Sequence, residues 1–134
     1  MRRFFERRSL RPALAIVGLT TLVAPAHAEI KDFEFQLVKT ELRIGTAVVE
    51  VRLIDKRTGQ LVPNAVIFIQ RIDMAPDQMP TMASRIVPMP STQPGVYVFS
   101  TNLMMQGGWR LSLSAKVQGE TGTLQNELIL QAKP

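Results

Sequence analysis

Six methionines follow residue 28, namely Met74, Met79, Met82, Met89, Met104 and Met105. They are the side chains of this sequence best suited to a chemistry of their own. A thioether sulfur is a soft, neutral ligand that selects Cu(I) over hard cations such as Mg²⁺ or Ca²⁺. It needs no deprotonation and forms no disulfide. Three such sulfurs on neighbouring loops would make a trigonal Cu(I) site, and Asp73 and Asp77, which flank Met74, would either help to hold Cu(II) or keep the loop soluble. Methionine is also a flexible apolar filler under loops and on adaptable protein-binding surfaces. Spacing alone leaves metal ligation, partner contact and plain packing all open.

Other chemistries find no residues to carry them. The chain has no Cys, and its one histidine is His27. Downstream of that position no conventional nucleophile and base pair is available, no carboxylates recur at an acid–base spacing, and hydrolysis at zinc lacks its usual imidazoles. The sequence therefore points away from an enzyme. Stability must come from packing, since no disulfide is available.

The elements that would position the methionines are short strands. Seven apolar or alternating stretches separated by turn signals have the spacing of a β-sandwich or barrel: Phe33 to Lys39, Thr46 to Asp55, Ala65 to Asp73, Ser84 to Met89, Val96 to Asn102, Trp109 to Gln118, and Thr123 to Ala132. Arg43-Ile44-Gly45 reads as a turn, and Met74 to Ala83 as a loop. The third stretch opens so apolar that both its faces are expected to be covered. In the sixth, Trp109, Leu111, Leu113, Ala115 and Val117 alternate without exception with polar residues, which lines them along one face of a strand and would scatter them around a helix. Trp109 is thus a core indole, and Tyr97 a strand-initiating tyrosine whose hydroxyl satisfies nearby backbone.

If each strand runs opposite to the one before it, every second connection opens at the same end. The connection after the third strand carries Met74, Met79 and Met82, and the one after the fifth carries Met104 and Met105. Both fall at one pole. Met89 closes the fourth strand and falls toward the other.

Residues 1–28 have the build of a cleaved signal peptide: five arginines by Arg11, an uncharged stretch from Ala13 to Ala24 too short for a stable membrane anchor, and Ala26-His27-Ala28 as the cleavage site. Arg7-Arg8 raises a twin-arginine alternative to general secretion. Residues 29–134 then form one domain, expected in the periplasm. The formal net charge of +5 includes the five arginines and one acid of that leader; without it 11 basic residues face 10 acidic ones, and no basic stripe remains for nucleic acid.

The run Asp73-Met74-Ala75-Pro76-Asp77-Gln78-Met79-Pro80-Thr81-Met82, with Pro94-Gly95-Val96-Tyr97 and Met105-Gln106-Gly107-Gly108-Trp109-Arg110-Leu111, resembles the YtkA-like/FixH-like family of exported domains over nearly all of Leu37 to Ala132. The resemblance implies an all-β, immunoglobulin-like antiparallel β-sandwich. It also implies work beside copper or heavy-metal efflux and copper-oxidase assembly systems, with an inner-membrane or periplasmic complex as partner. Met74, Met79, Met82 and Met105 fall on the family's methionine-bearing positions. Two features depart from the pattern: the mature chain has no histidine for a His-assisted Cu(II) site, and it lacks the anchor that FixH proteins keep. The alternative implied is an immunoglobulin-like module that binds no metal and docks a complex through the same rim or an exposed edge strand.

Overall fold

The structure, a computed structural model, describes residues 28–134 together with Ala15 and Gly18. The expected signal segment otherwise lies outside the described residues. Among those described, no helix is long and apolar enough to cross a membrane.

The described chain forms nine strands: β1 (Phe33–Leu37), β2 (Glu41–Arg43), β3 (Gly45–Asp55), β4 (Val66–Met74), β5 (Met79–Ser84), β6 (Ile86–Met89), β7 (Val96–Leu103), β8 (Gly107–Lys116) and β9 (Leu124–Lys133). They build two sheets, in the orders β1-β3-β7-β6 and β2-β9-β8-β4-β5. This is the expected all-β, immunoglobulin-like sandwich.

Its core comes from the alternation already visible in the sequence. On β3 the inward row Ala47, Val49, Val51 and Leu53 is buried, while Val48, Glu50 and Arg52 between them face water. On β8 the row Trp109, Leu111, Leu113 and Ala115, continued by Val117, is buried throughout. Each fully buried large apolar side chain contributes about 1.5–3 kcal/mol. The two sheets are also joined by a polar contact, in which the Phe35 amide of β1 donates to Asn126 Oδ1 of β9 at 2.8 Å. Tyr97 behaves as expected: its hydroxyl donates to the Val62 carbonyl at 2.9 Å and accepts from the Ala65 amide at 3.0 Å.

Three expectations need correction. Glu41 to Arg43 is a strand that pairs parallel with Gln131 to Lys133, so the turn begins later and one pairing is not antiparallel. The stretch Met74 to Ala83 is more than a loop, for it holds a single 3-10 turn, Ala75–Asp77, and most of β5. In both cases one strand is divided between the two sheets: β1 and β2 run in one direction, as do β5 and β6. The reversal of direction from one expected strand to the next therefore survives.

The third correction concerns β4. Its first half is not covered on both faces, since Val66, Phe68 and Ile69 are exposed. β5 reaches only Ile72, Asp73 and Met74, and a β-bulge between Ile67 and Ile69 turns an additional residue out of the ladder. An apolar run signals burial only where a neighbouring element arrives to provide it.

Candidate functional site

β4 and β7 end, and β8 begins, at the same pole of the sandwich, and the two methionine-bearing connections meet there. The 3-10 turn Ala75–Asp77 lies against Gly107 and Gly108. A Cβ at Gly107 would overlap Asp77 Oδ2 and stand 3.0 Å from the Met74 methyl carbon, and one at Gly108 would come within 2.8 Å of the Pro76 side chain. Gly107 also has φ +133, a conformation that side-chain-bearing residues rarely adopt. The pair thus permits the side chains of Met74, Pro76 and Asp77 to approach this backbone closely, as well as the turn read from the sequence.

The five methionines expected at this pole differ in environment. Met74 is fully buried and belongs to the core. Met79 lies opposite it in the β4–β5 ladder, and Met79 and Met82 are half-buried against the core. Met104 and Met105 are the open members, 50% and 40% exposed. The ladder pairs Met74 with Met79 but Asp73 with Ala83, so Pro80, Thr81 and Met82 are additional residues on β5. Arg71 pins that bulge by donating from Nη2 to the Pro80 carbonyl at 3.0 Å. Gln78, with φ +63, turns the chain back so that Met79 can rejoin β4. Met89 is exposed beside Val98 near the start of β7, toward the opposite pole.

Trp109 holds the second connection from below, its Nε1 donating to the Met105 carbonyl at 3.0 Å. A buried indole N–H requires such a partner. The same bond fixes the backbone at the most exposed methionine pair.

The two aspartates have protein partners. Asp73 is fully buried and its Oδ2 accepts from Arg110 Nη2 at 2.9 Å and Arg71 Nε at 3.1 Å, while Oδ1 accepts from the Ala75 amide at 3.0 Å. Burial alone would raise its pKa. Hydrogen bonds from Arg110, the Ala75 amide and Arg71 outweigh that and hold the carboxyl below the usual carboxylate range. Asp77 Oδ2 accepts from the Gly108 amide at 3.2 Å. Both carboxylates therefore brace the pole, Asp73 through both oxygens and exposed Asp77 through Oδ2. Among the described residues no group of three or more His, Cys, Asp or Glu side chains is placed to hold a metal.

Arg71 and Arg110 are members of this site that the methionine spacing does not suggest. Arg110 occupies the polar row of β8, opposite Asp73 in the β4–β8 register. Its position in that row was the available signal, but the partner across the ladder depends on register.

No curated protein matches the chain. Among solved structures, the crystal structure of the Lin-41 filamin domain is similar at 16% identity and a TM-score of 0.44, covering 80% of this chain and 95% of that one. The YtkA-like family model matches residues 27–114, which include both methionine-bearing connections and the Gly107-Gly108-Trp109 start of β8. The chain belongs to the YtkA-like family.

Proposed function

We propose that this domain is an exported accessory protein that takes up Cu(I) as cargo at its methionine pole and delivers it to a metal-efflux or copper-enzyme assembly partner, without catalysing a reaction itself. The observation that carries this reading is the meeting of two methionine-bearing connections on one braced pole, with Met104 and Met105 of one open to solvent and Met79 of the other half-buried. Soft, uncharged sulfur suits Cu(I), while Asp73 is buried with both its oxygens engaged and Asp77 spends one oxygen on the Gly108 amide. In this reading Met79, Met104 and Met105 are the exchangeable ligands and Met82 an adjacent one. Buried Met74 supports Met79 from the core. Partly open ligands favour transfer to a partner over permanent retention.

Anaerobic titration with Cu(I) against a competing chelator tests the proposal. Tight one-to-one binding is expected, with at least a hundredfold loss when Met79, Met104 and Met105 are together replaced by Leu, and no change for Met89→Leu. Absence of binding, or affinity indifferent to the triple replacement, would leave the docking module without metal as the surviving reading. Export is tested separately: amino-terminal sequencing of protein recovered from the periplasm should begin at Glu29.

A further inference from the structure

β4 is paired along the whole of one side and along only part of the other. β8 accompanies it from Val66 to Asp73, whereas β5 meets it only from Ile72 to Met74. The second edge of residues 66–71 has no neighbouring strand, and among the described residues no side chain hydrogen-bonds to their backbone. Such an edge presents N–H and C=O groups at the spacing of a strand, which is a template for another extended chain.

The side chains along this edge fit the same use. Val66, Phe68 and Ile69 are 63%, 49% and 51% exposed. Next to them the mouth between the sheets opens into a crevice of about 460 Å³, lined in part by Ile67, Met89, Tyr97 and Phe99. The opposite lip is β6, whose Pro88 supplies no backbone donor. β4 is thus the lip able to pair.

Charge narrows the occupant. Arg71 closes one end of the edge and Arg85 is exposed where β5 passes into β6, while Lys116 lies across from Val66 on the β8 side of the other end. No carboxylate lines the crevice, and the carboxylate on β4, Asp73, is buried between Arg71 and Arg110. A second copy pairing antiparallel through β4 would bring Arg71 of each chain toward Val66 of the other, with Lys116 one strand further in, so that only like charges approach.

We infer that residues 66–71 of β4 form a strand-addition site for an extended segment of a partner protein, one with alternating apolar side chains and acidic residues at its ends. The segment extends the β8-β4 side of its sheet and inserts apolar side chains at the crevice. Apart from Arg71, which also braces the methionine pole, this site is separate from that pole and does not depend on Cu(I) binding.

The test uses a capped peptide of alternating Val and Thr with two Glu at each end, added to ¹⁵N-labelled protein. Amide shifts and slowed hydrogen exchange are expected at residues 66–71. The same peptide with Lys ends should bind at least tenfold more weakly, the difference shrinking at high salt. Phe68→Glu and Val66→Glu, at exposed positions whose folding is checked by thermal melting, should each weaken the acidic peptide at least tenfold. Leu replacements at Met79, Met104 and Met105 should leave peptide binding unchanged, so loss of the copper reading would not carry this one with it. No binding, equal binding of both peptides, or protection mapped to β1 or β6 would overturn the inference. Concentration-dependent self-association that protects residues 66–71 without peptide would also overturn it, assigning the edge to a second copy.

Discussion

Asp77 Oδ2 accepts a hydrogen bond from the Gly108 amide at 3.2 Å, joining the connection after β4 to the first residues of β8. The contact lies beside Gly107, whose missing side chain allows the turn carrying Asp77 to come so close. Two segments that carry the methionines are thereby locked together before any ligand is considered.

Gly107→Ala should therefore be costly twice over, since its φ of +133 disfavours a side chain and the new Cβ meets Asp77 and the Met74 methyl. A loss of about 2–3 kcal/mol is expected in urea unfolding at constant m-value. Ala at the exposed turn residue Gly59, which has positive φ but open space around it, should cost less.

Asp73→Asn removes a buried carboxylate held by two arginines and an amide, while Arg71 and Arg110 retain partial access to water. The expected loss is about 2 kcal/mol at neutral pH, at the lower end for a broken ion pair because the arginines are not fully desolvated. Asp73 has a depressed pKa in the folded state. Its contribution is thus complete above the ordinary aspartate value near about pH 4 and disappears as pH falls through the lower folded value. Unfolding midpoints of the two proteins measured from neutral to strongly acid pH should converge only at the acid end.

Trp109→Phe keeps most of the apolar volume but deletes the donor to the Met105 carbonyl. Stability should fall by about 1–2 kcal/mol, combining the lost bond with a small cavity. If the Met104-Met105 backbone must be held for Cu(I) uptake, affinity should also fall; full stability loss with unchanged affinity would show that the loop orders without this bond.

Tyr97→Phe isolates the hydrogen bonds to Val62 and Ala65 at the opposite pole. The expected cost is about 1–2 kcal/mol in denaturant unfolding. Burial raises the Tyr97 pKa, so the phenol should resist ionisation in an alkaline absorbance titration until the fold opens.

Several elements were legible before any coordinates. Period-two alternation placed the β8 row from Trp109 to Val117 correctly because a half-buried strand must alternate. Strand reversal placed Met74 and Met79 at one pole with Met104 and Met105, and Met89 at the other, because that argument needs only the parity of crossings. β2 and β5 were missed. Glu41-Leu42-Arg43 is too short to show a period, and Met79 to Ser84 contains Pro80 and a bulge that interrupt one.

What residue order determined by itself was the strand-forming inward rows, the tight turns, and the sorting of five thioethers into two connections of the same parity. These depend on alternation and chain direction, which are local. Only the tertiary structure decided that Met74 is core while Met104 and Met105 are open, that Asp73 and Asp77 brace the pole, and that half of β4 keeps a free edge. Those outcomes depend on which surfaces meet across the sandwich and where a neighbouring strand stops, and no single segment contains that information.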